Sequence, residues 1–249
     1  MTFSLVGYDE ATESFGSIIC SSSPAVAARC VHLADGAGAA HTQNITDPRL
    51  GPRLLELMAA GQPAGEAVEA VVLENPETAD YRQLLAVDTA GRTAIHSGRC
   101  ALGTVGGHQA DGAAAAGNLL ASAAVPRRMV EAWHDGGGQP TEARLLAALR
   151  AAMAAGGEAG PVHSAGLSVV AGYGWRVTDL RVDWSGDPLA ELEALLAVWL
   201  PQRADYIDRA LRPQDSPGYG VPGDDRERQG RLVSGLAGSQ GVPEGGLRH

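Results

Sequence analysis

The sequence predicts an α+β fold in which two antiparallel sheets lie between helical layers, a four-layer αββα sandwich. Three pairs of short apolar runs have the pattern of β-hairpins, and two helical pairs separate them along the chain. A doubly wound parallel sheet would alternate single strands with single helices, so this element order argues against one. The length of 249 residues allows one or two domains with a sizeable core.

The chain opens with a predicted hairpin. Residues 3–7 and 15–20 are rich in apolar and β-branched residues, and the turn-forming segment YDEATES separates them. A further extended stretch is expected at residues 36–43, where the many glycines make β-propensity a weak guide. Two or three strands therefore precede the first helix.

The first helical pair is predicted from its boundary residues. Asp47 is a suitable N-cap and Pro48 fits the first helical turn, so a helix is expected from there to Gly61. Pro63 begins a second helix, whose apolar residues fall on one face as far as residue 75.

The central and later elements repeat this arrangement. A second hairpin is predicted at residues 81–88 and 92–97, and an additional strand is expected before the next helices. The remaining predicted elements are helices at 125–134 and 141–153 and a third hairpin at 165–172 and 177–182. The order is therefore hairpins alternating with helical pairs.

The last helix is predicted to begin at Asp187-Pro188 and to run to about Leu211. From Pro213 onward glycine, proline and charged residues dominate and the periodicity disappears. We therefore expect a folded domain over residues 1–212 and a disordered tail over residues 213–249.

The charge balance limits the classes of partner and mechanism. Nineteen basic against 29 acidic residues give a formal net charge of −10, which argues against nucleic acid as a partner. All the basic residues are arginine. The absence of lysine excludes Schiff bases, a Walker lysine and a Ser-Lys dyad.

The sequence predicts neither a membrane protein nor a protein stabilised by disulfides. The sequence has no run of about 18–20 apolar residues, and its first residues lack the basic and apolar regions of a signal peptide. Three cysteines without CxxC spacing suggest neither a disulfide framework nor a thiolate zinc site. The sequence predicts a cytoplasmic protein without a membrane partner, and a homodimer is favoured through exposed sheet or helix faces.

Thr2 is the first candidate for chemistry. Removal of Met1 would leave a free α-amine beside the Thr2 hydroxyl at the head of an apolar strand. An α-amine has an ordinary pKa of about 7.7–8.0, so near neutral pH a useful fraction accepts the hydroxyl proton. A strand also holds the nucleophile rigidly, as attack geometry requires.

Several segments together carry a family resemblance. They are TFSLVGYDEATESFGSIICSSSPAVAA, DGAGAAHTQNITDPRLGPRLLELMAAG, AVDTAGRTAIHSGRC, the Gly-Asn of AAGNLLA and DLRVDWSGDPLAELEALL. Over roughly residues 2–198 the chain resembles the domain of unknown function 1028 family, which is itself similar to the N-terminal nucleophile (Ntn) hydrolases. The resemblance implies the αββα sandwich and amide hydrolysis by an amino-terminal Thr, Ser or Cys.

The resemblance also implies roles for individual residues. Thr2 takes the nucleophile position, and Ser21 and Ser22 fall where such folds place residues that line the site. Family members often carry a basic residue within the SSSPAV stretch, where this chain has serine. A lysine near the threonine, as in proteasomes, would have to be absent or replaced by Arg29, His32 or a helix end.

Asn118 matches a Gly-Asn pair that recurs in the family, and its amide is a candidate oxyanion donor. The alternative is a turn asparagine that bonds to its own backbone. His41 and Gln43 at the end of a predicted strand, His96 at the end of a hairpin and His108 in a glycine-rich loop are candidate substrate-binding residues.

No metal or cofactor is expected. His41, His96, His108 and Asp111 are a conceivable set of ligands, but no two are spaced i, i+4 on a predicted helix. The glycine clusters match neither a dinucleotide-binding nor a Walker motif. The sequence thus predicts a metal-independent hydrolase that cleaves a C–N amide-type bond in a small molecule. The alternative is a non-catalytic scaffold of the same fold that binds a small molecule or a protein.

Overall fold

The computed structural model describes residues 2–224. These residues fall into two compact units, one ending at Leu200 and the other starting at Pro201. The predicted domain boundary at residue 212 lies later in the chain than this division.

The first unit contains ten strands, all paired antiparallel. They are β1 Thr2–Asp9, β2 Ser14–Ser21, β3 Val31–Ala34, β4 Gly38–Asn44, β5 Arg82–Asp88, β6 Thr93–Ser97, β7 Gly106–Ala110, β8 Ala113–Asn118, β9 Ser164–Val170 and β10 Arg176–Val182. Six strands form one sheet in the order β10-β9-β2-β1-β8-β7, and four form a second sheet in the order β3-β4-β5-β6. The prediction of an α+β fold with two antiparallel sheets is confirmed.

Six α-helices accompany these strands in the first unit. They are α1 Val26–Cys30, α2 Leu50–Ala59, α3 Ala64–Glu74, α4 Val125–Asp135, α5 Thr141–Ala154 and α6 Pro188–Trp199. Single 3-10 turns occur at Ala79–Tyr81 and Leu200–Gln202, and α7 Arg203–Leu211 belongs to the second unit.

Apolar side chains from the two sheets meet in one buried cluster. Val6 and Phe15 of the six-stranded sheet pack there with Leu85 and Val87 of the four-stranded sheet. Each sheet therefore buries one face against the other, as in a sheet-on-sheet core.

The opposite faces of the sheets contact helices. Leu54 of α2 and Val68 of α3 share a buried cluster with Leu84 of the four-stranded sheet. Helices α4 and α5 contact β1 of the six-stranded sheet, where a Cβ added at Gly7 would lie 2.7 Å from the Trp133 ring. The lack of a side chain at Gly7 thus allows α4 to approach the sheet closely.

The observed elements differ from the predicted ones in three places. The strand β3 and the short helix α1 were not predicted, and the β7–β8 hairpin was anticipated only as one additional strand. The predicted helix over 187–211 breaks at Leu200–Gln202, because Pro201 lacks the amide hydrogen that a continuous helix needs.

The helix starts also differ in detail. Asp187 is the N-cap of α6, and its side chain accepts a hydrogen bond from Ala190 N, which confirms that prediction. Asp47 instead bonds to Arg49 N in a turn, and α2 begins at Leu50. No helix or strand occurs within residues 213–224. The rest of the predicted tail, 225–249, lies outside the described residues.

Over residues 2–224 we find no helix both long enough and apolar enough to cross a membrane.

Candidate active site

Thr2 begins β1 and belongs to a row of polar residues across one end of the six-stranded sheet. It lies opposite Asn118 of β8 on one side, and on the other its Oγ1 lies 3.3 Å from Ser21 Oγ of β2. Ser21 lies opposite Ser164 of β9. Directly opposed residues of antiparallel strands point to the same face of the sheet. We call Asn118, Thr2, Ser21 and Ser164 the polar row. All four residues are buried, and Thr2 is 4% exposed.

The polar row faces the four-stranded sheet. Side chains alternate along a strand, so Ser4 shares the face of Thr2. Ser4 Oγ donates a hydrogen bond of 2.7 Å to Gln43 Oε1 on β4. The predicted site residues Thr2 and Gln43 thus lie at the same end of the space between the sheets.

A chain of hydroxyl groups leads from Thr2 to a guanidinium. Thr2 Oγ1 lies 3.3 Å from Ser21 Oγ, which lies 2.8 Å from Ser23 Oγ. Arg29 Nη2 donates to Ser23 Oγ at 3.1 Å. Of the predicted substitutes for a lysine, Arg29 is therefore linked to Thr2 through two serines.

His32, another predicted substitute, lies elsewhere. Its ring packs against Gly51 of α2, where an added Cβ would be 1.9 Å from the imidazole. Burial, followed by the nearby charge of Arg176, lowers the pKa of His32 to about 4. The His32 imidazole is therefore neutral at neutral pH.

Two buried glutamines support the polar row from the four-stranded sheet. Gln43 Nε2 donates to Gln83 Oε1 at 2.8 Å and to Ala116 O at 3.2 Å. Gln83 Nε2 donates to Ser97 Oγ at 2.9 Å and to Gly117 O at 3.1 Å. A backbone carbonyl only accepts, so these two carbonyls fix which end of each glutamine amide is the donor.

This fixed orientation determines how Asn118 is bound. Asn118 Nδ2 donates to Gln83 Oε1 at 3.1 Å, which leaves the second amide hydrogen for another acceptor. Asn118 Oδ1 is buried and has no hydrogen-bond partner among residues 2–224. The next residue, Leu119, has φ of 52°, a left-handed conformation that costs a non-glycine residue about 1–3 kcal/mol. The chain thus turns sharply just after Asn118 and leaves its amide at the strand end.

Glu158 is a site residue that the sequence did not reveal. It is 5% exposed, and its Oε1 accepts a hydrogen bond of 3.0 Å from Ser22 N. Its Oε2 is buried without a hydrogen-bond partner in the described part of the chain. The only signal in the sequence is an isolated acid in GGEAG, which is also typical of an exposed turn.

Burial and the neighbouring groups act in opposite directions on the pKa of the Glu158 carboxyl. Burial raises its pKa, while hydrogen bonding from Ser22 and the charges of the amino terminus and His163 lower it. The net direction is upward. A carboxyl in such a setting is a candidate functional group.

His41 is buried between the sheets at some distance from Thr2. Its Nε2 lies 2.6 Å from Ser17 Oγ, and Ser17 precedes Ser21 by four residues along β2. At roughly 3.3 Å per residue this separation is about 13 Å. Burial, followed by the charges of His32 and Arg176, lowers the pKa of His41 to about 3.

His96 and His108 are not brought to Thr2. His96 Nε2 lies 3.0 Å from Ala79 O, and His96 is on the face of β6 opposite that of Ser97, which bonds to Gln83. His108 lies opposite Ala115 in the β7–β8 ladder, so it shares neither the row nor the face of Asn118.

Cys20, next to Ser21, points to the other face of β2. Burial, reinforced by the charge of Glu158, raises the pKa of its thiol to about 12. The thiolate nucleophile is therefore scarcely populated at neutral pH.

Thr2 lines none of three surface cavities formed by residues within 2–224. Two lie near Tyr8, at the opposite end of β1, with volumes of about 380 and 290 Å³. The third, about 560 Å³, lies between β10 and α6. Over residues 2–224 no group of three or more His, Cys, Asp or Glu side chains is arranged to hold a metal ion.

Comparison with solved structures finds a protein of family DUF1028 from Silicibacter pomeroyi. It is 27% identical, with a TM-score of 0.75, and the match covers 84% of this chain and 94% of that chain. Anbu (ancestral beta-subunit) from Yersinia bercovieri is 11% identical with a TM-score of 0.35, covering 80% of this chain and 97% of that chain. That score is too low to support a shared fold.

A search of curated proteins finds no match. The model of the family of unknown function DUF1028 matches residues 2–192, well over half of the 249-residue chain. The protein therefore belongs to the DUF1028 family.

Proposed function

We propose that the protein is a metal-independent hydrolase that cleaves a C–N amide-type bond in a small molecule, with Thr2 as nucleophile after removal of Met1. The observation that carries this proposal is the position of Thr2. It heads a central strand, in a buried polar row with Asn118 and Ser21 on either side. A nucleophile on a strand that pairs with a strand on each side is already fixed in position, so the reaction carries no entropic cost of ordering it.

The proposal includes the Ntn-hydrolase fold. The two sheets pack face to face, α2 and α3 contact the four-stranded sheet, and α4 and α5 contact the six-stranded sheet. These contacts support the four-layer αββα arrangement in which an amino-terminal residue acts from the end of a strand.

In the proposed reaction, Thr2 Oγ1 attacks the amide carbonyl carbon while the α-amine of Thr2 takes the hydroxyl proton. The resulting ammonium gives a proton to the amide nitrogen, the C–N bond breaks and the amine product leaves. Water then attacks the Thr2 acyl ester, with the α-amine again taking a proton. The acid product leaves and the hydroxyl is restored.

Asn118 is proposed to stabilise the oxyanion of the tetrahedral intermediate through its second amide hydrogen. The other amide hydrogen is held by Gln83 Oε1 at 3.1 Å, which fixes the amide in position. A well-placed donor of this kind lowers the barrier by about 3 kcal/mol.

Ser21, 3.3 Å from Thr2 Oγ1, is proposed to orient the nucleophile. Arg29 is linked to Ser21 through Ser23, so the guanidinium charge acts on Ser21 only indirectly. The α-amine is then the base, as expected in a chain without lysine. The homodimer and the cytoplasmic location remain predictions from the sequence.

A non-catalytic scaffold is the second candidate. Two observations favour it: Thr2 is only 4% exposed, and it lines none of the three cavities described above. In that case the protein would bind a small molecule or a protein partner without turnover.

Hydrolysis of a panel of small amides by the purified protein separates the two candidates. We expect activity in the wild type, loss in Thr2→Ala, partial retention in Thr2→Ser and no change in Thr78→Ala, which alters an exposed threonine. Equal activity in wild type and Thr2→Ala would exclude Thr2 as the nucleophile.

A further inference from the structure

The chain segment around Glu158 closes the amino-terminal end of β1. Gly157 O accepts a hydrogen bond from Ala121 N, and Ala159 N donates to Leu119 O, both at 3.0 Å. Residues 119 and 121 directly follow β8, which neighbours β1 on one side. The backbone around Glu158 is thereby attached to the continuation of β8.

The side chain of Glu158 reaches the other neighbour of β1. Its Oε1 accepts from Ser22 N at 3.0 Å, and Ser22 directly follows β2. Because β1 lies between β8 and β2, Glu158 spans the position just ahead of Thr2. That position is where the α-amine of Thr2 would lie once Met1 is removed.

The Glu158 carboxylate requires a further partner. Its Oε2 is buried and accepts no hydrogen bond from the described residues. A buried carboxylate oxygen left unpaired is costly, so native proteins supply a donor or a cation to such a group.

Among residues 2–224, the charge that acts on the Glu158 carboxyl is that of His163, and the charge of Glu158 in turn acts on the Cys20 thiol. The imidazole of His163 is held by Ser185 O at 3.0 Å from Nδ1 and stacks on Trp184 at 4.4 Å. Arg29, at the end of the hydroxyl chain, donates hydrogen bonds to Ser23 Oγ and to Ala25 O.

We propose that Glu158 is a positioning residue that holds the α-amine of Thr2 through Oε2 while Ser22 N holds Oε1. This inference rests on the proposed function and deepens it. The carboxylate orients the amine towards the Thr2 hydroxyl and stabilises the ammonium that forms when the amine takes the hydroxyl proton. The proton then passes from the ammonium to the leaving nitrogen.

Glu158→Gln tests the proposal with little change of shape. The amide oxygen still accepts from Ser22 N, but the negative charge is lost. A nearby opposite charge favours the protonated amine, so the amine in the variant should have a pKa lower by about 1 or more. At a pH where the amine is unprotonated in both proteins, we expect kcat to fall by about tenfold or more with KM nearly unchanged, because the lost interaction acts when the ammonium forms.

The measurement is an NMR titration of the Thr2 α-amine in protein carrying isotope-labelled threonine, run for wild type, Glu158→Gln and the control Glu69→Gln. Glu69 is an exposed acid on α3, so its replacement should leave the titration unchanged. A folded Glu158→Gln with the wild-type amine pKa overturns this proposal and leaves Thr2 as the proposed nucleophile. A wild-type spectrum without a free Thr2 amine overturns both.

If Glu158→Gln does not fold, Glu158→Asp provides the test. Aspartate keeps the negative charge, but its side chain is one methylene group shorter, so the charge lies further from the amine. We therefore expect the amine pKa to fall, by less than in Glu158→Gln. No drop in Glu158→Asp would overturn the proposal.

Discussion

Asn118 Nδ2 donates a hydrogen bond of 3.1 Å to Gln83 Oε1 and so joins the two sheets at the end where Thr2 lies. Gln83 also bonds to Gly117 O, the residue before Asn118. One side chain of the four-stranded sheet therefore holds both the amide and the backbone beside the proposed nucleophile. The conformation of the site depends on the packing of the two sheets.

Replacing Gln83 is expected to weaken the fold as well as the site. Gln83→Ala would leave Gln43 Nε2, Asn118 Nδ2 and Gly117 O without this partner in a buried region. Each unsatisfied buried group costs about 1–3 kcal/mol. With some relaxation, we expect unfolding in urea to show a loss of about 3 kcal/mol.

Gln139→Ala is the matched control, because Gln139 is exposed after α4. Its effect should be within about 0.5 kcal/mol. A Gln83→Ala protein as stable as this control would show that the hydrogen bonds across the sheets contribute little.

The stability of the protein should fall in mild acid because of His41. Its pKa in the folded state is lowered from 6.5 to about 3 by burial, so between these values the unfolded state binds more protons than the folded state. His41 therefore does not change the stability above about pH 6.5, and it lowers the stability as the pH falls from about 6.5 towards 3. One such proton gives a slope of up to about 1.4 kcal/mol per pH unit.

His32 adds to this decline, since burial lowers its pKa to about 4. Denaturant unfolding at pH 7, 6 and 5 measures the slope. We expect His41→Gln to reduce the slope, whereas Gln139→Ala, which alters an exposed side chain that does not titrate, should keep the wild-type slope. An equal slope in wild type and His41→Gln would contradict this assignment.

A methyl group at Gly117 is expected to disturb Thr2 directly. The added Cβ would lie 2.6 Å from Leu120 Cδ2 and 3.1 Å from Thr2 O. Overpacking of this kind costs about 1–3 kcal/mol. We expect Gly117→Ala to lower the melting temperature and the rate of amide hydrolysis.

Gly65→Ala is the comparison for this variant. Nothing lies within 4 Å of a Cβ at Gly65, which is exposed in α3. Alanine is the better helix former by about 1 kcal/mol, so this variant should be unchanged or more stable. If Gly117→Ala behaved like Gly65→Ala, the backbone of β8 would not constrain Thr2.

The fold was predictable wherever the residue pattern is strong. The run of apolar and β-branched residues in 3–7 and 15–20 identifies the β1–β2 hairpin, which places Thr2 beside Ser21. The β7–β8 hairpin was harder to foresee because alanine and glycine have low β-propensity. These strands form by pairing with β1, which is a tertiary interaction.

The site was predictable only in part for a geometric reason. A shift of one residue moves a side chain to the other face of a strand. The sequence brings Gln43 to a strand end and the family resemblance identifies Asn118, but neither shows that His96 and His108 lie away from Thr2. Glu158 could not be predicted from the sequence, because its burial depends on a loop that crosses the ends of β8 and β2.

The most direct test of the central claim is the intact mass of the purified protein before and after treatment with a β-lactone, with the adduct located by peptide mapping. We predict an untreated mass lower by one methionine residue than that of the full sequence, and a single acyl adduct on Thr2 that is absent in Thr2→Ala. A retained Met1 together with no adduct on Thr2 would contradict the account.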